Sequence, residues 1–582
     1  MLRGSENSLM HDIVITGGTV IDGTGAPGMR GDVAIANGLI AAIGDLAHEP
    51  ARRRIDAAGK VVCPGFIDIH THYDAQVLWD RMLTISPWHG VTTAVLGNCG
   101  FGLAPARKAD HDFLIRLLEK VEGMPAEALV AGIGAWDFET FQDYLVRLRS
   151  AGVGINVAAA LGHTPLRRYV MGEAASQRAA RPDEIGLMCE ILREALAQGA
   201  IGFSTSRMPF DIDHLGRPVP SRFADGDELG ALAAVLREKP GSILLFNVGR
   251  VPPWDEFERL ARISGGNLCW SFFVADQSGP DAHREGLRRT ADQIARGLPI
   301  FPQTSCKPIV STWSFRHAIP LVTFAPFAHV NAAQGEAAIL AALADQGFRA
   351  GMRQALDNPQ SEHAVLEGGS DEWAMRLASL RLTTFADVPG HPELTGANVW
   401  EIAARRGAHP IDLMLDLAVQ TSLGARFTTP MMNYSQDAVA EILADPNVVL
   451  GLGDGGAHFA ELNDACYPTW LLGHWVRERG ALSLERAVHM LTGRPADVFA
   501  VAGRGRIAPG YAADIVVFDP QTVASGPLEH RNDLPGGAER LIVRAVGIEA
   551  VLVNGIELPQ AGTEPPGELP GRVLGMPERV TD

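Results

Sequence analysis

A chain of 582 residues, 46% apolar and 20% charged, has the size of one large domain with a smaller companion, and its composition excludes a disordered polymer. Its formal charge of -18 excludes the basic face that phosphate-backbone binding requires, leaving a small molecule rather than nucleic acid as the expected partner. Six scattered cysteines exclude a disulfide framework and favour a reducing cytoplasm, and no apolar run approaches the ~18 residues of a membrane span.

In chain order, MLRGSENSL reads as an upstream extension without the apolar centre of a signal peptide. From Asp12, DIVITGGTVIDGTGAPGMRGDVAIANGLIAAIG alternates short β-rich runs with Gly, Asn and Asp turns, a repeated hairpin pattern. Strands and helices then alternate between about Pro64 and Val501. GVTTAVLG, GINVAAALG, GSILLFNVG, NLCWSFFVA, GLPIFPQTS and NVVLGLGDG are the candidate strands. DEIGLMCEILREALAQG and DGDELGALAAVLREKPG read as helices closed by glycine. Repeated units of this kind predict a parallel α/β architecture, in a number compatible with an eight-fold barrel. β-rich text returns in GRIAPGYAADIVVFDP and AVGIEAVLVNGIEL, where Asn554-Gly555 marks a tight turn. The two β-rich ends are expected to meet in one small sheet. The Pro- and Gly-rich residues after Leu558 are expected to run over the surface.

The chemistry-bearing text begins at VVCPGFIDIHTHYD. His70 and His72 are two apart, so on a strand both rings point to one side. At the C-terminal mouth of a barrel, two neutral imidazoles suit zinc or a similar ion. In NVVLGLGDGGAH a buried strand delivers Asp454 into a glycine-rich loop, where a carboxylate reaches a water activated by an ion; DGG is equally good turn chemistry. His163 follows an apolar strand and precedes Arg167, a pair suited to polarising or binding a substrate, or to capping a loop. Arg207, in GFSTSRMPF, is placed to grip a carboxylate with two prongs. His458, four residues beyond Asp454, is a further candidate to bind substrate or orient Asp454.

The ordered set PGFIDIHTH, GVTTAVLGNCG, AAALGHTPLRRYVMG, GFSTSR, GLGDGGAH and LTGRPADVFAVAGRGRIAPGYAADIVVFDP resembles the amidohydrolase superfamily, in its N-acyl-D-amino-acid deacylase branch, from about Asp12 to Leu558. The resemblance implies a TIM-like (β/α)8 barrel over 64–501 and a small β-sandwich from 11–63 and 502–558. An extension over 1–10 and a tail over 559–582 would flank them. It implies zinc, as one or two divalent ions, with His70 and His72 as the metal pair and Cys99 as a ligand. Asp454 would be both ligand and proton-transfer base. The implied reaction is metal-dependent hydrolysis of a C–N amide bond, in an N-acyl-D-amino acid or a related linear or cyclic amide. The same scaffold leaves open deamination, lactam or ester cleavage, or a non-catalytic binding role; a homo-oligomer is compatible with all of these.

One departure stands out. The branch carries further histidine ligands on its fifth and sixth strands, yet SILLFNVGR and NLCWSFFVAD contain none, leaving Asn247 and Asp276 as the polar residues there.

Overall fold

In the computed structural model, which describes all residues but 1–9, 278, 280, 317, 322–323, 328–329, 331–334, 359–368, 560–566 and 577–582, the start of the chain forms β1 (His11–Val20), β2 (Met29–Ala36), β3 (Leu39–Gly44), β4 (Ala51–Asp56) and β5 (Val61–Pro64). The expected N-terminal extension thus lies, Met10 apart, outside the described residues, as does part of the expected tail. Asn37 and Gly38 both take positive φ, 53° and 75°, the conformation that a two-residue turn between β2 and β3 demands.

Parallel strands follow. β6 (Phe66–Asp68), β7 (Val91–Leu96) and β8 (Asn156–Ala159) form one sheet. A second contains β9 (Leu161–Gly162), β10 (Gly202–Ser206), β11 (Ile243–Asn247), β12 (Leu268–Ser271), β13 (Ile300–Thr304) and the two-residue β17 (Val449–Leu450). Nearly every residue in these strands is buried, the pattern of a parallel sheet covered on both faces. Every candidate strand read from the sequence contains one of them. Of the two candidate helices, Pro182–Gln198 ends at Gly199 as expected. The other stops at Leu236, short of Gly241, because Pro240 biases the residue before it away from helix.

Between β13 and β17 the chain inserts a unit that the sequence did not announce. β14 (Ile309–Trp313), β15 (Thr384–Asp387) and β16 (Arg426–Met432) pair antiparallel with β16 central. Trp313, Phe315, Met414 and Phe427 sit in a hydrophobic cluster of its own.

The chain ends in β18 (Ile515–Phe518), β19 (Ala524–Arg531), β20 (Arg540–Val546), β21 (Ile548–Val553) and β22 (Ile556–Glu557). Both ends do meet in one eight-stranded sheet, ordered β22-β21-β18-β5-β1-β2-β3 with β4 on β1. A buried polar network ties this sheet to the start of β8. Asp514 accepts hydrogen bonds from the Asn156 side chain (3.0 Å) and the Asn554 backbone (2.7 Å), and pairs with Arg504. The described part of the C-terminal segment does not run free over the surface. Gly571 and Leu574 donate backbone hydrogen bonds to Val153 and Val157, and the Asn554 amide donates to Pro570 O at 2.7 Å. Among the described residues no helix is long and apolar enough to cross a membrane.

Candidate metal centre

The site is assembled by backbone pairing just past the C-terminal ends of β6, β7 and β17. His72 N donates to Gly455 O at 2.7 Å and Asp454 N donates to His70 O at 3.1 Å, so the histidine pair and the aspartate loop are zipped together. Gly453 packs closely there, since a Cβ would lie 2.2 Å from the Oδ2 of the buried Asp68 and would force that carboxylate to move. Cys99 lies in a short turn after β7 that Asn98 holds by donating to Val95 O and Thr71 O. Cys99 and Asp454 both adopt the left-handed region, with φ of 54° and 44°. For non-glycine residues that conformation costs energy, and it concentrates at functional sites.

The side chains converge. His70 Nε2 is 3.2 Å from Cys99 Sγ and 3.4 Å from Asp454 Oδ1, while His72 Nε2 is 3.8 Å from the same oxygen. Among the described residues His70, His72 and Cys99 form the sole group of three or more potential ligands with donor atoms within 4.8 Å of one another. The two rings stand edge to face, 5.4 Å apart. Both histidines and the thiol fall where the sequence placed them, and Asp454 joins them.

The electrostatics suit a cation. Burial pushes His70 down to about 4 despite the Gln303 contact, and burial with His70 and His458 nearby pushes His72 well below its usual value. Both imidazoles are therefore neutral and able to ligate. Burial lifts Asp454 to about 6 and, with Glu122, Asp211 and Asp454 nearby, lifts the Cys99 thiol well above its ordinary range. Glu122 is raised by burial and by Asp454, Asp211 and Asp74. A divalent ion reverses these shifts, since its charge favours thiolate and carboxylate. Two neutral imidazoles, one thiol and one carboxylate at these separations make a donor set that fits zinc.

The other candidates fare differently. His458 belongs to the site's rim: its Nε2 lies 4.0 Å from Glu122 Oε2 and its N–H donates to Glu122 O at 2.6 Å. His163 and Arg167 are fully buried and are not brought to the cluster. His163 contacts Thr205 Oγ1 (2.8 Å) through Nδ1 and Glu228 Oε1 (2.7 Å) through Nε2, and Arg167 pairs with the same Glu228. Arg207 turns to Ala224 O and Glu256, each at 3.2 Å, so its guanidinium is already engaged. The histidine-free strands end at Asn247 and Ser271, whose side chains meet at 3.5 Å. Asp276 is occupied in accepting Ser435 N at 2.7 Å. Two residues escaped the sequence reading. Gln303, at the end of β13, meets His70 Nδ1 through Oε1 at 2.7 Å, and Glu122 Oε1 lies 3.5 Å from His72 Nδ1. Neither stands in a motif, so no local signal marks them.

Comparison with known proteins identifies the family. Residues 53–556 match the amidohydrolase family. The chain is 32% identical over 576 residues to a D-aminoacylase of Alcaligenes xylosoxydans xylosoxydans, spanning 98% of each chain. An N-acyl-D-glutamate deacylase of Bordetella bronchiseptica, solved with zinc and a phosphonate mimic of the tetrahedral intermediate, superposes at TM-score 0.64. It is 28% identical, over 97% of this chain and all of that one. A D-aminoacylase solved to define its binuclear metal centre, with one-metal activation and second-metal attenuation, superposes equally well at 29% identity and the same coverage.

Proposed function

The chain belongs to the amidohydrolase family, and from that premise we propose that it deacylates N-acyl-D-amino acids with a single zinc ion held by His70, His72, Cys99 and Asp454. It is a metal-dependent hydrolase of C–N bonds outside peptides. The observation that carries the finer reading is the approach of both Nε2 atoms to Asp454 Oδ1, with the Cys99 thiol 3.2 Å from His70 Nε2, opposite strands that end in Asn247 and Ser271 instead of histidine. One ion suits that asymmetry, and one ion is what activates the related D-aminoacylase.

Zinc, when bound, supplies Lewis acidity to the amide carbonyl and to the attacking water. The protein's own part falls to Asp454, whose Oδ1 faces both rings and whose side chain keeps 28% of its surface open to the mouth. It accepts the water proton and hands it to the leaving nitrogen. Burial keeps His70 and His72 unprotonated, so neither competes for that proton. His458 and Glu122 line the approach beside His72.

The parallel strands read as a closed eight-stranded barrel. Three contacts support closure: the Thr71–Gly455 parallel bridge between the β6 and β17 ends, Ala160 N on Leu96 O, and Ile201 N on Ala159 O. We take the barrel as 64–501, interrupted by the inserted unit, and the terminal sheet as the β-sandwich of 11–63 and 502–558.

The test is a substrate panel. Zinc-reconstituted protein is expected to release acetate from N-acetyl-D-amino acids and to leave the L-enantiomers intact. Turnover of a hydantoin, a lactam or an amino-purine, with none of the acyl-D-amino acid, would overturn the assignment.

A further inference from the structure

Each imidazole of the pair presents Nε2 to the cluster and turns Nδ1 to an oxygen from elsewhere in the chain. For His70 that oxygen is the Gln303 amide, 2.7 Å away. For His72 it is Glu122, at 3.5 Å. A ligating histidine is fixed in ring orientation and tautomer by the partner of its other nitrogen.

Glu122 occupies a place where a carboxylate is costly. It is the last residue of the helix His111–Glu122, where the helix dipole disfavours an anion. Its side chain is 5% exposed, and among the described residues no lysine or arginine pairs with it. Its ion-pair contacts are His72 and His458. Gly123 closes the helix in the left-handed conformation at φ 60°, and the bond from His458 N to Glu122 O at 2.6 Å pins this end to the aspartate loop. The backbone at this helix end is therefore held against the aspartate loop, and the Glu122 carboxylate lies beside His72. A buried anion without a matching cation costs several kcal/mol unless something compensates.

We propose that Glu122 is a positioning residue for the ion, accepting the Nδ1 proton of His72 and so holding Nε2 toward the metal. The inference rests on His72 being an ion ligand, as read above. Gln303 is the parallel contact on His70, made through an amide oxygen at 2.7 Å.

The experiment measures zinc affinity by competition with a chromophoric chelator, in the whole protein, for wild type, Glu122→Gln and Glu122→Leu, with thermal unfolding recorded alongside. Glu122→Leu is expected to bind zinc about 10–100-fold more weakly, and Glu122→Gln, which keeps an acceptor oxygen, to recover most of the loss. Unchanged affinity in a folded Glu122→Leu would overturn the proposal. Should that variant fail to fold, a crystal structure of the zinc-loaded wild type decides: Nε2 of His72 on the ion with Nδ1 on Glu122 supports it, and Nδ1 on the ion overturns it. Wild type that binds no zinc at all would instead refute the metal site itself, which separates the two failures.

Discussion

Two walls, each built at the C-terminal ends of parallel strands, carry different side chains. The wall from β6, β7 and β17 carries His70, His72, Cys99 and Asp454, with His70 Nε2 3.2 Å from Cys99 Sγ and 3.4 Å from Asp454 Oδ1, and it holds two residues in left-handed backbone. The wall from β10, β11 and β12 ends in Ser206, Asn247 and Ser271, and its titratable groups are spent on one another: His163, Arg167 and Glu228 behind it, Arg207 on Glu256 beside it. Left-handed backbone and potential metal ligands gather on one wall, ion-paired side chains on the other. The contrast teaches that chemistry needs underused polar groups, whereas a polar group with every partner in place is architecture.

The largest expected effect breaks the first wall. His70→Ala should take bound zinc from about one ion per chain to almost none and abolish turnover, as metal analysis beside an activity assay would show. Full activity at undiminished ion content would mean that the ion sits on the other wall. Asp454→Asn should come next, keeping most of the ion while losing roughly 10²–10⁴-fold in kcat. The same residue sets the acid limb of the wild-type rate. Burial, eased by His458 and reinforced by Asp464, raises Asp454 to about 6, and a bound cation lowers that value. The base must be ionised, so kcat should rise with pH through a midpoint below 6 and flatten above it. A limb centred above 7 would assign the base elsewhere.

How much of this was legible in the sequence differs between the walls for a physical reason. His70 and His72 share a strand-end period, and Asp454 follows a buried strand into glycines, so spacing made them candidates and the ordered motifs around them gave the candidates their chemistry. Gln303 lies 233 positions from His70, and Glu122 reaches His72 from a helix end, contacts that only tertiary packing creates. On the other wall the reading of His163 and Arg167 as substrate groups was too generous. LGHTPLRRYV places both residues after a strand but does not reveal that Glu228, on a separate helix, folds in to claim them. The fold divides likewise. β-rich text at both termini, with the turn at Asn554-Gly555, pointed to the sheet that joins the two ends. The unit around β14–β16 stayed hidden because its helices and strands alternate much as those of the parallel sheet do.

The smallest expected effect on catalysis sharpens the comparison most. Glu228 is wholly buried; burial alone would raise its carboxyl, and His163 and Arg167 outweigh that, holding it at about 2. A carboxyl depressed from its ordinary 4.5 contributes stability above that value and loses it as pH falls toward 2. Arg167→Met removes the cation while filling much of its space, and leaving a buried carboxylate short of its partner costs about 3–5 kcal/mol. Denaturant unfolding at pH 7 should therefore show an earlier midpoint for this variant, and part of the gap should close as both proteins are taken toward pH 2, where the wild type loses its advantage. The folded fraction should keep KM for an acyl-D-amino acid within about two-fold, because nothing at the ion changes. A KM raised ten-fold at unchanged stability would place Arg167 against substrate after all, and would make the two walls one site.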